Sequence, residues 1–152
     1  MIYLLDTSIL IAYLREFNPT QEFVDEKFAP LDIVNIAIIS VVTIGEIKAI
    51  AFKNGWGNRR ISKIDETVKK FVVADINTAD ILNRYAEIDA FSQGRLKNRK
   101  SNFSARNMGK NDIWIAATAS VLEADLLTTD NDFDHLHNEF LSVAKIDLSK
   151  NI

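Results

Sequence analysis

The amino-acid sequence predicts an α/β fold, with a central parallel sheet of about five strands and helices on both of its faces. Short apolar runs alternate along the chain with segments in which apolar residues recur at helical spacing. This alternation is typical of βαβ units, whose helices cover both faces of a parallel sheet. No internal repeat or linker interrupts the 152 residues, so residues 1–152 are predicted to form a single domain.

The first half of the chain begins with a buried strand, because an apolar run ends at an Asp-Thr-Ser sequence of the kind that starts helices. Asn18 and Pro19 separate two short helices. A second run, rich in Ile and Val, predicts another buried strand, and the helix after it ends at a Gly-Trp-Gly turn. The predicted elements are strand 2–5, helices 8–14 and 21–28, strand 32–40, and helices 43–54 and 59–70.

The second half repeats the pattern. An apolar run after Lys70 predicts a third strand, and Asn77 or Thr78 caps the helix that follows it. A polar, basic stretch without apolar periodicity, residues 94–110, leads to a helix capped by Asn111 and Asp112. The predicted elements are strand 71–76, helices 77–91 and 112–123, strand 126–129, a short helix around 133–136 and strand 140–146.

The composition excludes several classes of protein. The chain has no Cys, which excludes disulfide scaffolds, thiolate zinc sites, iron–sulfur clusters and Cys nucleophiles. Its 18 Lys and Arg residues against 21 Asp and Glu residues give a net charge of −3, a total that argues against the usual basic type of nucleic-acid-binding protein. The sequence shows neither a signal peptide nor an apolar run long enough for a membrane span, so we expect a cytoplasmic protein without membrane contact.

Four carboxylates follow strand ends or lie near helix starts: Asp6, Glu46, Asp112 and Asp130. Ligands of parallel α/β sheets bind beyond the carboxyl ends of the strands, so the four acids are expected to converge there. Clustered carboxylates cannot all stay ionised without a compensating charge. A divalent cation provides that charge, and oxygen ligands favour Mg²⁺ or Mn²⁺. The pattern therefore predicts a metal site of a kind that hydrolyses phosphodiesters.

Each of these acids also has a purely structural interpretation. Asp, Ser and Thr before a helix are ordinary N-caps, and Thr43 with Glu46 fits a capping box. Asp6 is harder to explain in this way, because a carboxylate directly after an apolar strand is expected to be partly buried and to need a partner. Residue spacing alone leaves both interpretations open.

Four segments resemble, in order, the four motifs of PIN-domain nucleases: LLDTSILI at 4–11, SVVTIGEI at 40–47, NDIWIAATA at 111–119 and LLTTDNDF at 126–133. Their spacing is also family-like, and the match is most like the VapC-type toxins of type II toxin–antitoxin pairs. The resemblance implies a PIN-like three-layer sandwich. It implies a metal-dependent endoribonuclease, with Mg²⁺ or Mn²⁺, that hydrolyses structured RNA such as tRNA or rRNA. It further implies a homodimer and inhibition by a small antitoxin protein.

The resemblance also implies roles for single residues. The residues that would hold the metal and carry out catalysis are Asp6, Glu46, Asp112 and Asp130. Asp132 matches a position that is acidic in some members of the family, so it is a secondary candidate. Such sites need further side chains that orient waters or carboxylates. The candidates for that role are Thr7, Ser8, Asn111 and Thr128.

Charge is distributed unevenly along the chain, so the net charge of −3 does not describe a uniformly acidic surface. Residues 47–64 and 94–111 contain five and six cations and no acid, whereas residues 112–147 contain eight acids and one Lys. Such runs are common on solvated faces and in disordered loops, but beside a nuclease site they predict contacts with RNA phosphates. Phe103 is expected to contact unstacked bases, and its segment to become ordered on binding. The predicted RNA-binding residues are Lys48, Lys53, Arg59, Arg60, Arg95, Lys97, Arg99, Lys100, Arg106 and Lys110.

Two other functions stay open at this point. A non-catalytic PIN-like module that binds RNA or protein would explain the acids as helix caps. A structure-specific DNA nuclease would use the same acids on flaps or gaps, although such relatives are usually larger than this chain.

Overall fold

A computed structural model describes residues 1–151 and confirms the predicted α/β sandwich. The strands are β1 (Ile2–Leu5), β2 (Ile36–Ser40), β3 (Val72–Ala74), β4 (Asp125–Thr128) and β5 (Val143–Lys145). The α-helices are α1 (Thr7–Leu14), α2 (Pro19–Lys27), α3 (Val41–Lys53), α4 (Asn58–Val68), α5 (Ala79–Ser92) and α6 (Lys110–Val121). Two 3₁₀ helices cover Asn131–Leu136 and Leu148–Asn151. The five strands form one parallel sheet in the order β3-β2-β1-β4-β5.

Alternating side chains of the strands build two cores, one on each face of the sheet. Leu4, Ile38 and Leu126 pack with α5 and α6 on one face. Leu5 and its neighbours on the adjacent strands pack with α1, α2, α3 and α4 on the other. Because successive side chains of a strand point to opposite faces, a continuous apolar strand needs helices on both sides. The short apolar runs of the sequence therefore dictate the three layers.

The order of the strands places a switch point between β1 and β4. The chain leaves β1 to build β2 and β3 on one side, and later returns to build β4 and β5 on the other. Leu5 lies opposite Leu127 in the register of these two central strands. Crevices at such points, beyond the carboxyl ends of the strands, are where open α/β sheets bind ligands. Asp6 follows β1 directly, and Thr128 ends β4.

The predicted second strand begins too early in the sequence. Residues 32–35 form turns, and the strand starts only at Ile36. The Asn35 side-chain amide donates to the carbonyl oxygen of Ala29 at 2.9 Å, and the Asp32 carboxylate accepts from the Val34 amide at 3.3 Å. These local bonds compete with the sheet, which is the usual effect of Asp and Asn on backbone structure.

Residues 94–109 contain neither helix nor strand, as predicted, and are called the basic loop below. The loop joins the end of α5 to the start of α6. Within residues 1–151, no helix combines the length and the apolar character that a membrane span requires.

Candidate active site

Asp6 lies at the switch point and is almost completely buried, with 4% of its surface exposed. It caps α1, because its Oδ1 accepts from the amide of Thr7 at 2.7 Å. Its other oxygen, Oδ2, accepts from the hydroxyls of Thr128 at 2.7 Å and of Ser8 at 3.3 Å. The carboxylate is therefore fixed in one orientation by three donors, all of them from residues predicted to orient the site.

Thr128 connects Asp6 to a second acid. Its hydroxyl is fully buried, donates to Asp6 and accepts from the backbone amide of Asp130 at 3.0 Å. A single hydroxyl at the end of β4 thus fixes the distance between the β1 acid and the loop that follows β4. The exposed amide of Thr129 in turn donates to Ser8 Oγ at 3.3 Å.

Replacing Thr128 by Val will destabilise the protein. The change leaves Asp6 Oδ2 without its closest donor and the Asp130 amide without its acceptor, at a cost of about 1–3 kcal/mol. We expect the melting temperature to fall by about 3–10 °C. Thr129→Val, at the exposed neighbouring position, is the matched control for calorimetry. Equal behaviour of the two variants would contradict this role of Thr128.

Glu46 lies in α3 and receives a hydrogen bond from α1. The Thr7 hydroxyl donates to Glu46 Oε1 at 2.8 Å and lies 3.3 Å from the hydroxyl of Thr43. The capping-box interpretation is wrong here, because α3 begins at Val41 and its N-cap is Ser40, whose hydroxyl accepts from the Val42 amide. The sequence did not identify Thr43 as a neighbour of the site. Ser40 is the signal in the sequence that could have identified the true cap of α3.

Three further acids lie near Asp6 and Glu46. Asp112, Asp130 and Asp132 each offer one carboxylate oxygen, and these oxygens all lie within 4.8 Å of one another. Asp130 does cap a helix, since it accepts from the Asp132 amide at 3.0 Å. Asp112 does not: α6 begins at Lys110, and its N-cap is Gly109. Asp132, only a secondary candidate in the sequence, therefore belongs to the closest group of acids.

The electrostatics of these acids is unfavourable without a cation. Burial, followed by the charges of Asp6, Asp130, Asp132 and Glu46, raises the pKa of Asp112 to about 7. Burial also raises the pKa of Asp6, against the opposing effect of the hydrogen bonds from Thr128 and Thr7. In the described part of the chain, no Lys or Arg forms an ion pair with any of the five acids. A set of carboxylate oxygens with this charge fits a hard divalent cation.

The predicted RNA-binding cations lie mostly at the surface. Nine of the ten are exposed, and the exception is Arg99, which is half-buried. Lys53 lines a groove of about 480 Å³ together with Glu46 and Asn111, so Asn111 faces the α3 side of the site. Phe103 is half-buried against the core, and its ring centroid lies 5.3 Å from that of Phe91. The structure therefore places Phe103 in internal packing.

The fold and the site together describe an α/β protein with helices on both faces of a parallel sheet. Carboxylates line its switch point, and within residues 1–151 none of them forms an ion pair with Lys or Arg. Residues 3–139 match the PIN domain family. The chain belongs to this family, whose members are nucleases. Among curated proteins, none matches the chain significantly.

Several solved structures share the fold. A chain of VapBC2 from Rickettsia felis, bound to a DNA fragment from their promoter, has a TM-score of 0.74 and 21% identity, covering 97% of this chain and 100% of that one. VapBC-1 from nontypeable Haemophilus influenzae contains a chain with a TM-score of 0.70 and 27% identity, covering 95% and 98%. DNA-bound VapBC from Salmonella typhimurium contains a chain with a TM-score of 0.71 and 19% identity, covering 95% and 98%.

Proposed function

We propose that this chain is a metal-dependent endoribonuclease and the toxin of a type II toxin–antitoxin pair. The observation that carries the proposal is the group of Asp112, Asp130 and Asp132, whose oxygens lie within 4.8 Å of one another in a PIN domain. The likeness to VapBC structures supports the toxin–antitoxin part of the proposal.

When bound, a divalent cation such as Mg²⁺ or Mn²⁺ would supply an activated water and would offset charge on the scissile phosphate and the leaving oxygen. Asp112, Asp130 and Asp132 are the residues proposed to hold it, together with Asp6 and Glu46. Asp112 must be ionised to bind a cation, so its proton, retained up to about pH 7 in the free protein, leaves on binding.

The side chains around the acids keep the site rigid. The Thr128 and Ser8 hydroxyls, with the Thr7 amide, leave Asp6 little freedom, and the Thr7 hydroxyl holds Glu46. Donors that fix a carboxylate before substrate arrives reduce the reorganisation needed during the reaction. We therefore assign Thr7, Ser8 and Thr128 to the support of the acids.

The substrate is proposed to be structured RNA, such as tRNA or rRNA, held through its phosphates. The exposed Lys53 lines the same groove as Glu46, so a cation and a carboxylate of the site face one groove. Arg59 and Arg60 at the start of α4, and the cations of the basic loop, extend the positive surface. Contacts of this kind position a nucleic-acid backbone without reading its sequence.

A cleavage assay tests the proposal. Purified protein is incubated with tRNA, rRNA fragments and DNA flap substrates, with Mn²⁺ or with EDTA. We expect the wild type to cleave RNA with Mn²⁺ and not with EDTA. Asp6→Asn should lose this cleavage. Asp65→Asn, which changes an exposed acid of α4, should keep it. Inactive wild type, or equal cleavage by Asp6→Asn, would refute the enzyme. Preferential cleavage of the flaps would instead favour the DNA nuclease.

The proposed homodimer has a suitable surface on α3. Val41 and Phe52 are exposed on this helix, Phe52 by 77%. Exposed apolar surface of this kind is typical of protein interfaces. The proposed antitoxin is a separate chain, which we expect to bind over the active-site groove.

Phe52→Asp will convert the dimer into a monomer. A buried charge without a partner opposes association strongly, so we expect light scattering after size exclusion to give the mass of one chain for the variant and of two chains for the wild type. Phe17→Asp removes a Phe that is 91% exposed elsewhere on the surface and should leave the mass unchanged. A wild-type monomer would refute the homodimer, and a dimeric Phe52→Asp variant would refute this interface.

A further inference from the structure

The basic loop is held against the body of the protein at three places. The backbone amide of Arg106 donates to the carbonyl oxygen of Ser92 at 2.8 Å. The Phe103 ring packs edge-on against Phe91 and against His135, with centroids 5.3 and 4.9 Å apart. The third attachment is Arg99, whose side chain is the least exposed among the cations of the loop. Arg106 makes looser contacts, with its guanidinium carbon 5.8 Å from the Phe103 ring centroid and its Nη1 3.5 Å from His135 Nδ1.

The Arg99 guanidinium contacts the protein through one face and through two of its three nitrogens. The guanidinium carbon lies 4.2 Å from the centroid of the Phe140 ring and 5.7 Å from that of Phe91. Nη2 donates to the carbonyl oxygen of Glu139 at 2.6 Å, and Nε lies 3.6 Å from Glu139 Oε2. Stacking on an aromatic face combined with directed hydrogen bonds is a use of Arg that Lys cannot reproduce. Arg99 therefore presents less of its guanidinium group to a phosphate than the exposed cations of the loop do.

The loop is also attached to both sides of the acid site. Its end runs through buried Met108 into α6, which carries Asp112. Its Phe103 contacts His135, which belongs to the same 3₁₀ helix as Asp132. The His135 ring is itself fixed by a 2.8 Å hydrogen bond between Nε2 and the buried Ser92 hydroxyl. The position of the loop is thus mechanically linked to two of the three closest acids.

We propose that Arg99 is a positioning residue, which clamps the basic loop so that its exposed cations meet the RNA backbone in a preformed arrangement. The exposed cations are Arg95, Lys97, Lys100 and Arg106. Preforming a binding surface lowers the entropy lost on association. The inference rests on the proposed RNA substrate, and it replaces the earlier expectation that Arg99 contacts RNA and that the loop is ordered only by binding.

Hydrogen exchange and RNA binding test the clamp. Four proteins are compared in an Asp112→Asn background, which prevents cleavage: no further change, Arg99→Gln, Phe140→Leu and Lys97→Gln. The Phe140→Leu variant removes the stacking partner of Arg99 without removing any cation. Lys97→Gln removes a free cation of the same loop and is the matched control for the charge lost in Arg99→Gln.

We expect Arg99→Gln and Phe140→Leu to speed amide exchange in residues 95–107 about tenfold and to weaken RNA binding about five- to tenfold, with an unchanged salt dependence. Lys97→Gln should leave the exchange unchanged and reduce the slope of log K against log salt by about 0.7–0.9, the value for one phosphate contact. The double variant Arg99→Gln/Phe140→Leu should bind RNA no more weakly than Arg99→Gln alone, because the stacking contact that Phe140→Leu removes is already lost in Arg99→Gln.

Two results would overturn the clamp: unchanged loop exchange in Arg99→Gln, or a salt slope reduced as in Lys97→Gln, which would make Arg99 a phosphate ligand. Unchanged RNA affinity in Phe140→Leu despite faster exchange would also overturn it. Absence of RNA binding before any loop variant is introduced would refute the RNA substrate itself. The binding titration of the parent protein therefore separates failure of the proposed function from failure of the clamp.

Discussion

Asp112→Asn is expected to lower RNA cleavage about 10³-fold, since the electrostatic assistance of a bound cation is worth several kcal/mol and each 1.4 kcal/mol is about tenfold. Asp112 belongs to the group of three acids within 4.8 Å of one another, and burial together with the charges of four neighbouring acids raises its pKa to about 7. The amide keeps the shape of the side chain but supplies no charge to a cation. Single-turnover cleavage of an RNA substrate in Mn²⁺ measures the effect.

Asp134→Asn is the matched control for this substitution. Asp134 lies in the same 3₁₀ helix as Asp132, but its carboxylate pairs with Lys145 at 3.2 Å and is not one of the three close acids. We expect this variant to cleave RNA at nearly the wild-type rate. If Asp112→Asn were as active as Asp134→Asn, the assignment of the metal site to Asp112 would be wrong.

The second large effect of Asp112→Asn is expected on the stability of the metal-free protein, measured in EDTA. The pKa of Asp112 is raised to about 7 by burial and by four neighbouring carboxylates, so between about pH 4 and pH 7 the folded protein holds a proton that the unfolded chain has released. Stability falls as pH rises wherever the folded state binds more protons. The proton on Asp112 therefore stabilises the folded state fully near pH 4, and this contribution is lost as pH rises through about 7.

The Asp112→Asn variant does not lose stability in this way at high pH, because the amide does not ionise. Partial exposure screens the charge, so we expect a gain of about 1–2 kcal/mol at pH 8, or about 3–6 °C in melting temperature, and almost none at pH 4. Differential scanning calorimetry across this range measures the difference between variant and wild type. Saturating Mn²⁺ at pH 8 should reverse its sign, since only the wild type gains the full stabilisation from binding. A difference that does not change with pH would contradict the prediction.

Much of the site could be predicted because strand ends are visible in the sequence. Asp6 and Asp130 follow apolar runs, and the topology of a parallel sheet brings such positions to one edge. The helix starts were predicted less well: Thr43 and Asp112 fit capping patterns, but Ser40 and Gly109 are the caps. Local pattern alone does not distinguish two candidate caps three residues apart, because both satisfy the same preferences.

The contacts of the basic loop could not be predicted in the same way. Arg99 meets Phe140 and Glu139 across about 40 residues of chain, and Phe103 meets His135 across a similar separation. Neither partner has a periodicity or spacing that links it to the loop. The sequence therefore shows a run of cations only as positive charge. That Arg99 packs against other side chains becomes visible only once its partners are in place.

Asp6 serves two purposes with one side chain, since it caps α1 and also belongs to the acid site. Asp130 does the same for the 3₁₀ helix that follows β4. Asn is about as good a cap as Asp, whereas Ala is much worse. An Asn substitution at either position therefore keeps the helix cap while it removes the charge, whereas an Ala substitution removes both. A natural inactive relative that keeps the fold would thus be expected to carry Asn, Ser or Thr at these two positions.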